Sequence, residues 1–263
     1  MPQIQPGTQP YSADRSLYGK LRRRVARLVT TKPARLDLQR PLLTISFDDA
    51  PVSAAEAGAA ILERHGVRGT YFISAGLGGQ ESHLGRYTTL DDVARLAAAG
   101  HEIACHTFSH LDCGKARAGS ITAELDANLA ALRAVDVTPV TFAYPYGDVS
   151  PWAKALVNDR FIAGRALHHG LIANGTDLNQ APGVGIEGAE GEIVAQTWMT
   201  RAAQAKAWLV LYTHDVRDRP SDWGCTPQVL DRLVGEAIAM GFEVATFAEG
   251  AKRAQARMQA EAA

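Results

Sequence analysis

The sequence predicts an α/β fold, a distorted (β/α) barrel of about seven parallel strands behind an N-terminal helical extension. Three observations carry this reading. Short apolar runs without clean alternation recur along the chain, as expected of strands buried on both faces. Between them lie segments with helical punctuation. The side chains capable of chemistry gather where the apolar runs end, which is where parallel α/β folds build their sites. An open doubly wound sheet is the rival architecture and makes the same demand.

The elements follow in order. "LLTISF" (Leu42 to Phe47) reads as a strand, and "SAAEAGAAILERHG" as a helix with Ser53 as N-cap and Gly66 just past its end. "GTYFIS" (Gly69 to Ser74) is the second strand, "TLDDVARLAAAG" a helix closed by Gly100, and "HEIAC" (His101 to Cys105) the third strand. The long helix "SITAELDANLAALRAV" follows. "VTFAY" (Val140 to Tyr144), "RFIAGR" (Arg160 to Arg165), "WLVLYTHD" (Trp208 to Asp215) and "GFEVATF" (Gly241 to Phe247) are further strands. Helices near 151 to 158, 190 to 205 and 227 to 239 lie between them, the last opening on Thr226 and Pro227 as N-cap and first helical residue.

Length and composition set the bounds. The chain has 263 residues, 46% hydrophobic and 21% charged, ordinary for one large α/β domain. A formal net charge of −1 provides no global field to recruit nucleic acid, which is not expected as a partner. Cys105, Cys113 and Cys225 cannot all pair and lack C-x-x-C spacing, which fits a reducing compartment. The N-terminus has no apolar core of the kind a secretory signal needs, so a cytoplasmic location and no stable membrane insertion are expected. The basic stretch "LRRRVARLV" has the makings of a helix on a membrane surface, but one short basic helix reads first as a solvated face packed on its own domain.

The strand ends are where function is sought. After "LLTISF" come two adjacent carboxylates, Asp48 and Asp49, which repel unless a metal or a proton separates their roles. After "HEIAC" comes "HTFSH". His106 and His110 are four apart, so one helical turn would put both imidazoles on one side as metal ligands. A carboxylate from another strand end would complete a facial set with open positions, the pattern of a catalytic site. Such a set suits one divalent ion, Zn²⁺ first, with Co²⁺, Ni²⁺, Mn²⁺ or Fe²⁺ as alternatives. "VTFAY" ends on "PYGD", and "WLVLYT" on His214 and Asp215.

Taken together, these residues resemble the polysaccharide deacetylases, the NodB homology domain also called carbohydrate esterase family 4. "SFDDA" resembles the family's first motif, "HTFSH" matches its second, "AYPYG" partly matches its third, and "LVLYTH" resembles its last. The resemblance implies a NodB-like barrel over residues 41–250, leaving residues 1–40 as an extension with a basic helix and 251–263 as a C-terminal tail. It implies Asp49, His106 and His110 as metal ligands and Asp48 as general base. It further implies the backbone N–H of Tyr146 as oxyanion donor and His214 as general acid. The partner implied is an N-acylated carbohydrate.

The departures are informative. Ala143 stands where the third motif places an arginine that pairs with the base; Arg165, at the end of the next strand, is the candidate replacement. The fourth motif, which orients the acid histidine, is not recognisable, and Asp177 is no more than a weak candidate for it. Ala50 replaces the usual glycine of the first motif. "GLGGQE" (Gly76 to Glu81) lacks the third glycine of a dinucleotide fingerprint and is rejected as one. Tyr144, Tyr146, Trp152 and Trp223 are candidates to stack on sugar faces, and "RDRPSDWGCTP" (Arg217 to Pro227) is expected to cover one side of the pocket.

The reading is a metal-dependent hydrolase that removes acetyl, or a similar small acyl group, from an N-acylated sugar. A small non-sugar amide, formamide or cyclic imide as substrate is the alternative. A silent carbohydrate-binding module would have little use for an open metal site with a base beside it.

Overall fold

The structure, a computed structural model, describes residues 16–260. After helix α1 (Leu17–Leu28) come β1 (Leu42–Asp48), α2 (Ala59–Arg64), β2 (Thr70–Ile73), the small hairpin β3 (Glu81–Ser82) and β4 (Gly85–Arg86), α3 (Leu90–Ala98) and β5 (Glu102–Cys105). The chain continues through α4 (Ala118–Arg133), β6 (Thr141–Ala143), α5 (Pro151–Arg160), β7 (Ala163–Arg165) and β8 (Val184–Gly185). It ends with α6 (Gly191–Ala205), β9 (Trp208–Thr213), α7 (Pro227–Ala239), β10 (Glu243–Val244) and α8 (Phe247–Ala260).

Seven strands form one parallel sheet in the order β7-β6-β5-β2-β1-β9-β8, and β10 adds in parallel to the start of β1. The sheet curls until Arg165 of β7 bridges Ala181, just ahead of β8, so the barrel nearly closes on itself. The expected distorted (β/α) barrel is present.

Every residue of β1 is buried because the strand has two covered faces. Leu43, Ile45 and Phe47 pack outward under the helices with Leu62, Leu209, Leu211 and Leu233, each buried leucine contributing on the order of 1.5–3 kcal/mol. Leu42 faces the barrel interior with Phe72, Ala104, Ala143, Trp208 and Val210. Polar residues of that parity are satisfied within the barrel: the Thr44 hydroxyl donates to the Ala245 carbonyl and accepts from the Trp208 indole, and the Ser46 hydroxyl donates to the Leu211 carbonyl. A strand alternates its side chains with period two, so Asp48 inherits the inward face of Leu42. The same parity carries His106 inward behind Ala104, Arg165 behind Ala163, and His214 behind Trp208 and Val210.

Some local expectations are corrected. Ser53 does not cap the first βα helix: its backbone is already helical just ahead of a widened π-type turn at Ala54–Gly58, and its hydroxyl accepts from the Val216 N–H. Thr226 does cap α7, with Pro227 in the first turn. Phe247, expected to end a strand, opens α8. Helix α8 closes the lower end of the barrel, its Phe247 and Ala248 N–H groups donating to Thr70 Oγ1 and to Glu102. The boundary expected at residue 250 falls inside this helix, and Ala251 and Ala254 are buried core rather than tail. Residues 1–15 of the expected extension and 261–263 of the expected tail lie outside the described residues. No helix among the described residues is long and apolar enough to cross a membrane.

Candidate active site

Asp49 sits one residue past β1 with φ 58, and Ala50 follows with φ 42. Both occupy the left-handed region that favours glycine, which accounts for the glycine usual at the second position. The reversal turns Asp49 across the rim while Asp48 keeps the inward strand direction, so two adjacent carboxylates face different partners.

The partners of Asp49 are His106 and His110. Its Oδ1 lies 3.8 Å from His106 Nε2 and 3.4 Å from His110 Nε2, and one potential ligand atom from each of the three residues lies within 4.8 Å of the others. His106 Nδ1 donates to the Ala143 carbonyl at 2.8 Å, which fixes the ring and leaves Nε2 as a lone-pair donor. Ala143 thus contributes through its backbone at the position where the family's arginine is missing. Burial, reinforced by the neighbouring His110, depresses the His106 pKa to about 4, so the imidazole is neutral near pH 7. Asp49 Oδ1 is buried without a hydrogen-bond partner. Two imidazole nitrogens converging on an orphaned buried carboxylate oxygen is a donor set that fits a divalent cation.

The two histidines do not converge through a helical turn, as their spacing had predicted. Residues 106–110 form a loop with Thr107 at φ 62 and His110 at φ 60. Glu124 of α4 holds it, accepting from the Phe108 and Ser109 N–H groups at 2.9 and 2.7 Å and from the Ser109 hydroxyl at 2.8 Å. The Thr107 hydroxyl accepts from the Leu111 N–H at 2.8 Å. Gly76 of "GLGGQE" donates its N–H to the Phe108 carbonyl, and a Cβ there would lie 2.7 Å from that oxygen. The glycine serves the close approach of two backbones, a role the sequence did not reveal.

Asp48 pairs with Arg165. The guanidinium donates to Asp48 Oδ1, is fully buried, and lies between the rings of Phe72 and Tyr212, 4.9 Å from each centroid. Burial alone would raise the Asp48 pKa; Arg165, His106 and His214 outweigh it and hold the carboxyl below its usual range. The cation missing from the third motif is therefore supplied from the next strand.

His214, just past β9, has Nδ1 3.3 Å from Glu187 Oε1 and 3.2 Å from the Trp223 carbonyl. Burial pushes its pKa down, but Glu187, Asp48 and Asp49 outweigh burial and raise it to about 9. Glu187 lies two residues beyond β8, a strand that the sequence reading did not find. Asp177, the weak candidate for this orienting role, is elsewhere: it forms an ion pair with Lys154 and accepts from the Lys32 N–H.

Tyr146 adopts φ 60 and sets its ring edge-to-face on His110, centroids 4.4 Å apart. Of the four aromatic candidates, Tyr144 is buried and donates its hydroxyl to the Asn179 carbonyl, and Trp152 donates its indole N–H to Ala116. Tyr146 and Trp223 remain open, each 40% exposed. The loop after His214 folds back over the rim through Asp215, which accepts from the Ser221 N–H and hydroxyl and pairs with Arg217. Gly224 is required there, since a Cβ would lie 2.4 Å from Asp215 Oδ1.

The polysaccharide deacetylase family matches residues 36–160 of the sequence, a span holding both aspartates and both ligand-type histidines. The chain carries a polysaccharide deacetylase domain. The chain is similar to a bifunctional xylanase/deacetylase from Pseudobutyrivibrio xylanivorans, 27% identical over 156 residues, 58% of this chain and 24% of that protein. It is also similar to a chitin deacetylase from Pestalotiopsis sp., 32% identical over 81 residues, 31% of this chain and 26% of the other. The chain spans about a quarter of the length of these curated relatives. A family 4 acetyl xylan esterase from Clostridium thermocellum, solved with a cobalt ion, shares the fold at a TM-score of 0.55 and 20% identity, covering 79% of this chain and 89% of that one. Arg165, Glu187 and His214 lie beyond the matched span, and the fold brings them to the site.

Proposed function

We propose that this protein is a metal-dependent hydrolase that removes acetyl from an N-acetylated sugar or polysaccharide. One observation carries the reading: the Asp49, His106 and His110 set, with its orphaned carboxylate oxygen, stands between a carboxylate held ionised and a histidine held protonated.

A divalent ion bound by Asp49, His106 and His110, with Zn²⁺ as first choice, would supply Lewis-acid polarisation of the amide carbonyl and acidify an attacking water. Asp48, kept ionised by Arg165, accepts the proton from that water as its oxygen bonds to the carbonyl carbon. The Tyr146 backbone N–H stabilises the oxyanion. His214, protonated below about pH 9 and oriented by Glu187, donates a proton to the amine as the carbon–nitrogen bond breaks. Water and amide become acetate and an amine.

Tyr146 and Trp223, the exposed aromatics of the rim, suit stacking on a sugar ring. The three cysteines, all buried and unpaired, support a reducing, cytoplasmic setting. The test is acetate release from N-acetylated oligosaccharides by protein reconstituted with Zn²⁺, before and after chelation. Chelator-sensitive release from short glycans is expected; activity confined to small non-sugar amides would overturn the substrate class, and chelator-resistant release would overturn the metal.

A further inference from the structure

Six large apolar side chains stand exposed along α1 and its C-cap: Leu17, Tyr18, Leu21, Val25, Leu28 and Val29. They make up half of the exposed large apolar residues among those described, and the other six are scattered over the fold. Leu17 at 85% and Leu28 at 74% exposure show how little the domain covers them. Their spacing places them on one arc of the helix.

The adjoining arc is fixed to the domain. Gly19, Arg22 and Ala26 are buried, and Arg22 makes a 2.7 Å ion pair with Asp148. The buried ammonium of Lys154 donates to the Ala26 and Val29 carbonyls at 2.6 and 2.5 Å, anchoring the C-terminal end. The outward direction of the apolar arc is therefore set by the fold.

A third arc is cationic. Lys20, Arg24 and Arg27 are exposed and Arg23 is half-buried towards Asp148, while the helix contains no acidic residue. An apolar stripe beside a cationic face on a helix too short to span a bilayer is the pattern of a helix lying in an anionic lipid interface. We infer that α1 docks this domain on the surface of an anionic lipid bilayer.

Other occupants fit less well. A second copy would bring two cationic arcs together. Residues 1–15 offer only Met1, Ile4 and Tyr11 as large apolar side chains against a stripe of six.

The dock has a direction. Asp148 lies two residues past Tyr146, and Tyr18 and Arg22 share a groove with Lys115 and Arg117, on the segment that follows His110, and with Trp152, in the first turn of α5. A bilayer under α1 is thus beside the active-site rim. If the proposed deacylation holds, the substrate is an N-acylated sugar presented at that surface.

The test is flotation of the full chain with phosphatidylcholine vesicles, with and without phosphatidylglycerol. Binding to the anionic vesicles that weakens with salt is expected. Leu21→Glu with Leu28→Glu should lower it at least tenfold, as should Arg24→Glu with Arg27→Glu, with circular dichroism and release of acetate from soluble oligosaccharides unchanged. Equal flotation of both variants and wild type would overturn the dock. So would a wild type that stays with the soluble fraction, including one that sedimentation shows to dimerise through the stripe. Flotation without any acetate release would leave the dock standing and count against the proposed reaction instead.

Discussion

Arg165 reaches Asp48 from β7 across the barrel mouth, two residues 117 apart in sequence forming an ion pair with side-chain exposures of 0% and 4%. Removing one member of a buried pair leaves an uncompensated charge, whereas removing both does not. Arg165→Met is expected to cost about 3–5 kcal/mol of stability near neutral pH. Adding Asp48→Asn to it should recover part of that loss. Denaturant unfolding of both single variants and the double checks this; strict additivity would show the pair to be uncoupled.

The same pair has a pH signature. The Asp48 pKa is depressed in the folded protein, so its stabilisation is present above the unfolded value near 4 and is lost as pH falls through the folded pKa. Arg165→Met removes a nearby cation and favours the neutral acid. The acidic limb of the rate profile should move to higher pH. An acidic limb that does not move, in a variant that still folds and binds Zn²⁺, would separate Arg165 from the base.

Glu187 acts on the other limb. The His214 pKa is raised to about 9, so the associated stabilisation is fully present below the unfolded value near 6.5 and disappears as pH rises through about 9. Glu187→Gln should shift the alkaline limb to lower pH and remove stability at pH 6, with less effect at pH 10. Histidine proton shifts followed by NMR give a direct titration of His214. An unchanged titration would exclude Glu187 as the group that tunes it.

Glu124 touches no expected ligand, yet it accepts two N–H groups and a hydroxyl from the loop between His106 and His110. Glu124→Ala is expected to weaken Zn²⁺ affinity by roughly 10–100-fold, the usual scale for a group that orients ligands. Competition against a chromophoric chelator measures it, with circular dichroism confirming the fold. Wild-type affinity would mean that the loop holds its shape unaided.

What the sequence disclosed follows from how each residue is encoded. Parallel strands buried on both faces leave apolar runs, so β1 and β9 were evident, and the parity that turns Asp48 and His214 inward follows from strand geometry alone. Arg165 was legible as a cation at a strand end. The "HTFSH" spacing pointed to the right pair of rings through the wrong local structure, because neither Thr107 nor His110 is a residue whose type announces a left-handed backbone. Strand β8 has two residues, Val184 and Gly185, and no periodicity, so Glu187 had no strand end to mark it. Lys154 draws Asp177 away from the site, a contact of two residues too distant in sequence for any local pattern to show. The arginines of α1 tipped its reading from a membrane surface towards a solvated face, because a short sequence does not show which of its apolar residues the domain leaves uncovered.

The central claim is that adjacent aspartates divide the work, Asp49 holding the metal and Asp48 taking the proton. The most direct measurement is Zn²⁺ stoichiometry and acetate release in Asp48→Asn and Asp49→Asn side by side. Asp48→Asn is expected to retain one equivalent of Zn²⁺ while turnover falls by roughly two to four orders of magnitude, and Asp49→Asn to lose both. Equal loss of Zn²⁺ in the two variants, or turnover that survives Asp48→Asn, would contradict it.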